Sequence, residues 1–229
     1  MKSFDEEWER IHATCDWGQY PSESVIRFVA KNYYNKVKPE IKILDYGCGA
    51  GSNTWYLARE GFDTYAFDGS KSAINKVEKK LEKEKLSAKL LVGDALEIEI
   101  GTKFDCIIDN ACIYANTINN IYTMYEKCYK MLKEGGKIFS TGFLTYTTGY
   151  GTGEELEINT YQNIDIGCLK GRGKAHFWLE GELSYTLLKI GFKFVKEEKL
   201  IYTDSGNVIA QCIVCLLYTS DAADDLLCV

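Results

Sequence analysis

The residues of this sequence best suited to contact a ligand are three glycines that follow an apolar run. Gly47, Gly49 and Gly51 are spaced Gly-x-Gly-x-Gly after residues 41–46, which predict a buried strand. Glycine has no side chain, so this turn lets the backbone pass close to a ligand. In an open α/β sheet, ligands bind at the carboxyl end of such a strand. Dinucleotide sites more often show Gly-x-Gly-x-x-Gly, so the observed spacing favours another nucleoside ligand.

Acidic residues follow the next two predicted strands. Asp68 comes directly after residues 64–67, and Asp94 with Ala95 follows residues 88–92. A carboxylate has two acceptor oxygens, so Asp68 suits a vicinal diol, and Asp94 can accept a hydrogen bond from an exocyclic amine. Each aspartate alone could equally form a turn or cap a helix. Their combination with the glycine turn favours ligand binding.

Residues 43–51, Ile-Leu-Asp-Tyr-Gly-Cys-Gly-Ala-Gly, resemble the first motif of the class I S-adenosylmethionine-dependent methyltransferases. That motif typically reads apolar-Leu-Asp-x-Gly-Cys-Gly-x-Gly. The resemblance extends to the acidic residue after the second strand and to the acidic and small pair after the third. It implies a methyltransferase that uses S-adenosylmethionine as its cofactor.

The resemblance also assigns roles to residues. The three glycines would approach the methionine part of the cofactor, and Asp45 would orient its amino group. Asp68 would bind both ribose hydroxyls, while Asp94 and Ala95 would face the adenine. The implied cofactor-binding residues are Asp45, Gly47, Cys48, Gly49, Gly51, Asp68, Gly69, Asp94, Ala95 and Asp109.

The fourth predicted strand, residues 104–109, would end beside the transferable methyl group in this family. Family members that methylate nucleobase amines or protein glutamine commonly have Asn or Asp, then Pro-Pro and an aromatic residue there. This chain has Asp-Asn-Ala-Cys at residues 109–112, and its two prolines are Pro21 and Pro39. The Pro-Cys motif of cytosine-C5 enzymes is therefore missing too. Residues 114–117 after this strand and residues 17–21 near the start look like those of small-molecule members of the family, which implies a small-molecule acceptor.

Methyl transfer from a sulfonium is an in-line displacement, so the protein is expected to contribute mainly alignment and desolvation. A general base is needed only for acceptors such as alcohols or phenols. The candidate bases are Asp109, Tyr114 and His176, although a histidine among aromatic residues can be structural. Arg27 and Arg172 are candidate anchors for a charged acceptor.

Hydrophobic periodicity predicts alternating strands and helices. Helices are predicted at 22–35, 52–58, 71–85, 118–132 and 180–189, and strands at 41–46, 64–67, 88–92, 104–109, 137–143, 194–202 and 208–217. This alternation predicts a single α/β domain, residues 1–214, with a doubly wound, mostly parallel seven-stranded sheet and helices on both faces. The last two strands, joined at residues 204–207, predict an antiparallel hairpin at one edge.

Residues 145–174 interrupt this pattern. The segment lacks periodicity and contains six glycines. Connections of this length are often functional lids. The sequence therefore predicts a lid that is mobile alone and becomes ordered when cofactor and acceptor bind.

The charge and the cysteine content of the chain limit its possible binding partners and its cellular location. The net charge of -6 and pI of about 5.2 provide no basic surface for nucleic acid or an anionic membrane. Nine cysteines are scattered along the chain, which favours reduced thiols and a cytoplasmic location. Cys212 and Cys215 are three apart in a predicted strand and should face opposite sides, so no metal site is predicted.

Two other functions share some of these features. An NAD(P)-dependent oxidoreductase would also have a parallel sheet, a glycine turn and an acidic residue after the second strand. A catalytically inactive S-adenosylmethionine-binding partner protein would keep the whole cofactor motif. The glycine spacing, the Asp94 and Ala95 pair and the late hairpin favour the methyltransferase over the oxidoreductase. The oligomeric state is left open.

The C-terminal residues 215–229 resemble the translated read-through of a sequencing-library adapter. This resemblance implies an artefactual tail without function, although a genuine acidic tail would look similar. Residues 215–218 are good strand formers, so the last strand can extend into this segment.

Overall fold

The computed structural model of the chain describes residues 2–15 and 18–219. The helices are α1 (Glu6–Thr14), α2 (Glu23–Tyr33), α3 (Ser52–Glu60), α4 (Lys71–Lys83), α5 (Ile118–Met131) and α6 (Glu182–Ile190). The strands are β1 (Lys42–Tyr46), β2 (Asp63–Asp68), β3 (Lys89–Val92), β4 (Phe104–Asn110), β5 (Leu132–Leu144), β6 (Glu154–Glu157), β7 (Thr160–Gln162), β8 (Ala175–Trp178), β9 (Lys193–Asp204) and β10 (Asn207–Leu217).

The main sheet has the order β3-β2-β1-β4-β5-β10-β9. Strands β1 to β5 are parallel, and β10 runs antiparallel to both β5 and β9. The chain leaves β1 toward β2 on one side and returns to β4 on the other. This reversal opens a crevice at the carboxyl ends of β1 and β4, which is where ligands bind in doubly wound sheets.

Helices cover both faces of the sheet, and neighbouring strand residues alternate between the two cores. In β4, Ile107 packs with residues of α5 and α6, whereas Cys106 and Ile108 pack with residues of α2, α3 and α4. Cys212 and Cys215 of β10 likewise fall in opposite cores. The mostly parallel sheet, the helices on both faces and the antiparallel edge hairpin are confirmed.

The predicted count of seven strands was too low, because three further strands form between β5 and α6. Strand β8 pairs in parallel with the end of β5, where Phe143 aligns with Phe177, and β7 and β6 follow in antiparallel order. Each of the three strands has only three or four residues. Such short strands leave no readable period in the sequence.

The lid, residues 145–174, is anchored to the main sheet. The Glu157 Oε1 accepts a hydrogen bond of 2.5 Å from the Ile118 amide at the start of α5, and Thr147 Oγ1 donates to the carbonyl of Ala210 in β10 at 2.8 Å. Ile164 and Leu169 are buried in a third core cluster, which they share with Phe143 of β5 and Ile209 of β10. The lid therefore contains folded structure, while its ordering on ligand binding stays a prediction.

Helix α1 at the start of the described chain and strand β10 near its end both belong to the folded domain. Helix α1 was not predicted, but its start has a local signal: Asp5 caps it by accepting a hydrogen bond from the Glu7 amide. Strand β10 ends at Leu217, as predicted for the last strand, and thus extends three residues past the predicted domain boundary at 214; Leu216 is fully buried. Residues 220–229 of the predicted tail lie outside the described residues. Within the described ranges, no helix has the length and apolar content needed to cross a membrane.

Candidate active site

The glycine turn connects β1 to α3 and lies against the turn that follows β4. Gly47 has a φ of +64°, and a Cβ at this position would clash with the Cys112 side chain. Glycine is thus required both for the backbone conformation and for the close approach of the two turns. The amide of Cys48 donates to the carbonyl of Phe67 at 2.9 Å, which ties the turn to β2.

Asp68 links the glycine turn to the end of β2. Its Oδ2 accepts a hydrogen bond from the Gly49 amide and its Oδ1 accepts one from the Ser70 amide, both at 2.8 Å. Burial raises the pKa of Asp68, while these two hydrogen bonds oppose that rise. Each oxygen retains a further lone pair for a ligand hydroxyl. The backbone therefore holds this carboxylate in one orientation beside the turn.

Residues 3–14, termed here the N-terminal strap, close one side of the crevice. The Phe4 ring packs against Gly69 so tightly that a Cβ at Gly69 would overlap the ring. Glu9 accepts hydrogen bonds of 2.5 Å from the hydroxyls of Ser70 and Ser72 at the start of α4. The strap is thus fastened beside the end of β2.

Asp94 fastens the other end of the strap. Its Oδ2 accepts from the amides of Ser3 and Phe4, and its Oδ1 accepts from the Ser3 hydroxyl and the Leu96 amide, all at 2.7 to 2.8 Å. Partial burial opposes ionisation, but the hydrogen bonds from Phe4 and Ser3 prevail and lower the pKa of Asp94. These four bonds fill the acceptor capacity of the carboxylate. Its expected contact with adenine stays a prediction and requires Ser3 or Phe4 to give way.

His12 brings the strap to the glycine turn. The imidazole is buried, and its Cε1 would lie 3.3 Å from a Cβ at Gly49. Burial lowers the pKa of His12, against the opposing effect of the neighbouring Asp68. The strap therefore contributes an aromatic ring, Phe4, and an imidazole to the wall of the crevice.

A cavity of about 500 Å³ occupies this crevice. Six of the residues predicted to bind the cofactor line it: Gly47, Cys48, Gly49, Asp68, Gly69 and Ala95. The strap adds Phe4 and His12, and α3 adds Asn53, which sequence reasoning missed. The acidic N-terminus of α1 could have signalled a helix there, but nothing local indicated where that helix packs.

The other four predicted cofactor residues lie outside the described lining of the cavity. Gly51 ends the turn and packs against Val77 of α4. Asp45 is buried behind the turn, where its carboxylate accepts from Thr54 Oγ1 at 2.6 Å. Burial raises the pKa of Asp45 to about 6. Asp45 thus holds α3 against the turn, and Asp94 holds the strap.

Asp109 supports the turn after β4. The carboxylate is fully buried and accepts hydrogen bonds from Ser140 Oγ at 2.5 Å and from the amides of Cys112 and Ile113 at 3.0 Å. Burial raises its pKa, against those hydrogen bonds. Asp109 is therefore placed to orient this turn rather than to accept a proton in the cavity.

The two remaining candidate bases differ in position. Tyr114 lines the cavity. His176 is buried in β8, where its Nδ1 lies 2.7 Å from Thr160 Oγ1 and its ring packs edge-on against Trp178. Burial lowers the pKa of His176. The aromatic neighbours in the sequence thus pack around His176 and keep it outside the lining of the cavity.

The end of the cavity away from the glycine turn has a mixed lining. It includes Tyr114, Asn116, Phe143, Arg172, Tyr202 and Gln211, contributed by the β4 to α5 connection, β5, the lid, β9 and β10. Of the two candidate anchors, Arg172 therefore faces the cavity. Arg27 instead forms an ion pair with Glu198 at 3.1 Å.

The cavity fits S-adenosylmethionine by its chemistry. Asp68 can accept hydrogen bonds from a ribose diol, and the absence of side chains at Gly47 and Gly49 leaves the turn open to a ligand. Its volume lies in the usual range for small-molecule sites. The fitting residues are six of the ten that the resemblance assigns to this cofactor, together with Phe4, His12 and Asn53 of the wall.

Comparisons with known proteins agree with this site. A family model described as "Methyltransferase domain" matches residues 43–136. Malonyl-[acyl-carrier protein] O-methyltransferase of Priestia megaterium (strain DSM 319 / IMG 1521) is 30% identical over 211 residues, which cover 87% of this chain and 72% of that protein.

Solved structures share the fold. A S-adenosylmethionine-dependent methyltransferase from Methanosarcina mazei superposes with a TM-score of 0.70 at 17% identity, covering 88% of this chain and 100% of that one. The 1,6-didemethyltoxoflavin-N1-methyltransferase of Burkholderia thailandensis, solved with its substrate and S-adenosylhomocysteine, gives 0.67 at 16% identity, covering 86% and 78%. With the glycine turn and Asp68 in place, the sequence relatives show that the chain belongs to the class I S-adenosylmethionine-dependent methyltransferases.

Proposed function

We propose that this methyltransferase acts on a small-molecule acceptor by in-line transfer, with cofactor and acceptor bound in one shared cavity. The observation that carries the proposal is the continuity of the cavity from the glycine turn to Tyr114, Phe143 and Arg172. S-adenosylmethionine supplies an activated methyl group when bound. The turn after β4, held by Asp109, lines the cavity with residues 110–112 and is the proposed contact for the acceptor. The walls exclude water from both ligands.

The cavity and the charge of the chain both support a small acceptor. A volume of about 500 Å³ suits compact ligands. The net charge of -6 disfavours nucleic acid as the acceptor. We also propose a cytoplasmic location, because the eight cysteines within the described ranges are free thiols.

The relatives suggest the order in which acceptor atoms should be tested. By their names, the relatives from Priestia megaterium and from Pelagibacter ubique (strain HTCC1062) are O-methyltransferases. Oxygen acceptors therefore come first. Tyr114 lines the cavity, but burial raises the pKa of its phenol, so at neutral pH it can donate a hydrogen bond to the acceptor and does not act as a general base.

The test uses methyl-labelled S-adenosylmethionine and a cell extract divided into small-molecule and macromolecular fractions. We expect label to enter the small-molecule fraction with the wild-type protein, and not with Asp68→Ala. Circular dichroism of the variant controls for folding. Label confined to the macromolecular fraction would contradict the proposal.

A further inference from the structure

We propose that the methyl acceptor is an uncharged small molecule with a carbonyl oxygen, and that the Asn116 side chain recognises it by donating a hydrogen bond to that oxygen. This inference rests on the proposed function, because it concerns the acceptor that shares the cavity with the cofactor. It extends that function by naming the chemical class of the acceptor and a residue that determines specificity.

Asn116 lines the acceptor end of the cavity, and half of its carboxamide is already engaged. Only 7% of the residue is exposed, and its Oδ1 accepts a hydrogen bond of 3.3 Å from Asn120 Nδ2 in α5. Within residues 2–15 and 18–219, Asn116 Nδ2 has no hydrogen-bond partner, and it keeps some accessible surface. Buried polar groups in proteins usually have a partner, so this N–H group is available to a ligand in the cavity.

The segment that carries Asn116 is held on both sides. Before it, the amide of His176 in β8 donates to the carbonyl of Tyr114 at 2.9 Å. After it, the Ile118 amide donates to the Glu157 carboxylate of the lid. The carboxamide is therefore presented from a fixed backbone, which lowers the entropy cost of binding a ligand.

The charges of the cavity wall disfavour an anionic acceptor. Asp5, Glu23 and Asp68 all line the cavity. Among the described residues of this lining, Arg172 is the one lysine or arginine, and it already interacts with another group of the protein. An anion would therefore meet three carboxylates and a single cation that has a partner.

A cationic acceptor is disfavoured as well. Lys174 lies 3.8 Å from the Asp5 carboxylate, and Arg27 lies 3.6 Å from the Glu23 carboxylate. The third carboxylate, Asp68, belongs to the cofactor end of the cavity. The cofactor itself brings a positive sulfonium into the cavity when bound, and this charge repels a second cation nearby.

The other side chains at the acceptor end suit a neutral ligand with an aromatic or apolar skeleton. Asn110 at the end of β4 and Gln211 in β10 are uncharged carboxamides, and Gln211 aligns with Phe143 of β5. The rings of Tyr114 and Phe143 pack edge-on, with centroids 5.0 Å apart. Apolar surface with a few neutral polar groups is the usual composition of a small-molecule site.

A carbonyl oxygen is the ligand group that matches the free N–H group of Asn116. It accepts hydrogen bonds, needs no partner to accept from it, and carries no charge. A ligand of the same shape without the oxygen would leave this N–H group unpaired. Sites of this kind discriminate strongly against analogues that cannot form the hydrogen bond.

The experiment measures binding of defined probes to protein saturated with S-adenosylhomocysteine, by calorimetry and saturation-transfer NMR. Acetophenone carries a neutral carbonyl, and cumene has the same shape without the oxygen. Benzoate is the anionic probe and benzylammonium the cationic one. We expect the wild type to bind acetophenone at least about fivefold more tightly than each of the other three probes.

Three variants locate the effect. Asn116→Leu keeps the size of the side chain but removes the N–H group, and Asn116→Asp replaces it with an acceptor. Both should bind acetophenone about tenfold more weakly, while Asn116→Leu should bind cumene at least as well as the wild type. Asn119→Leu makes the same change on an exposed residue of α5 outside the cavity lining, and should bind every probe like the wild type.

The dissociation constant of S-adenosylhomocysteine should be the same in all four proteins, which also shows that they are folded. If Asn116→Leu does not fold, Asn116→Asp decides. Equal binding of acetophenone and cumene by the wild type, tighter binding of either charged probe, no binding of acetophenone, or unchanged acetophenone binding in the Asn116 variants would each overturn the role of Asn116. Label confined to macromolecules in the extract experiment would overturn the small-molecule proposal instead.

Discussion

At the cofactor end of the cavity, a few neighbouring residues are held by backbone hydrogen bonds. Gly49 and Ser70 fix the Asp68 carboxylate, and Gly47 lets two turns touch. At the acceptor end, the lining comes from the β4 to α5 connection, β5, the lid and the β9 to β10 hairpin, and side chains such as Tyr114 and Arg172 define it. The first end is a local motif at the carboxyl ends of parallel strands, whereas the second is assembled from distant segments.

This difference has a functional consequence. A binding end made of backbone and one buried carboxylate can serve the same cofactor in many proteins, because its geometry depends little on the remaining sequence. An end made of side chains from separate segments can change acceptor without disturbing the sheet. Substitutions at the cofactor end should therefore act on cofactor affinity, and substitutions at the acceptor end on acceptor affinity.

The largest effect is expected for Asp68→Ala. Two charge-assisted hydrogen bonds to the ribose, at roughly 1.5–3 kcal/mol each, would be lost, so the dissociation constant of S-adenosylhomocysteine should rise by about 100-fold or more. The loss of the anchors for Gly49 and Ser70 adds to the effect. Calorimetric titration measures it, with Asp63→Ala at the opposite end of β2 as the matched control. If the dissociation constant of S-adenosylhomocysteine were unchanged in Asp68→Ala, this residue would not belong to the cofactor site.

A pH-dependent effect is expected for Asp45→Asn. The folded pKa of Asp45 is about 6 against an ordinary value of 3.8, so the folded state binds a proton more tightly than the unfolded state. The free energy of unfolding of the wild type should therefore fall, by up to roughly 3 kcal/mol from this group, as the pH rises from about 4 to 6. The amide side chain of the variant cannot ionise, so that part of the pH dependence should disappear.

Urea denaturation of the wild type and of Asp45→Asn at pH 4 and pH 7 measures how much the free energy of unfolding of each protein changes with pH. Asp68 and Asp109 also have raised pKa values and are present in both proteins, so the difference between the two proteins reports on Asp45 and its interaction with Asp68. Asp63→Asn serves as a control with the same chemical change on an accessible side chain. If the free energy of unfolding depended on pH in the same way in the wild type and in Asp45→Asn, the pKa of Asp45 would not be raised in the folded protein.

The smallest effect is expected for Phe4→Ala in the strap. The ring forms a wall of the cavity against Gly69, and its loss should weaken S-adenosylhomocysteine binding about fivefold, or ~1 kcal/mol. Tyr34→Ala, an exposed aromatic residue outside the cavity lining, is the control. Tighter cofactor binding by Phe4→Ala would reverse the interpretation, since it would mean that the ring occupies the place of the cofactor.

The sequence by itself determined the alternation of strands and helices, the glycine turn and the residues that follow β1 and β2. These features depend on local spacing: a period of two or 3.6 residues, glycines that end a strand, and an acidic residue at a strand terminus. Six of the predicted cofactor residues line the cavity because each lies in or directly beside such a turn. The family resemblance followed from the same short segments.

Only the tertiary structure decided which side chains meet across the chain. Ser3 bonds to Asp94, 91 residues away, so the carboxylate that was predicted to contact adenine also anchors the strap. His176 and Arg172 are four residues apart, yet His176 is buried in β8, whereas Arg172 of the lid lines the cavity. No local pattern encodes such outcomes, because they depend on how the lid, the strap and the sheet pack together and exclude water from the groups between them.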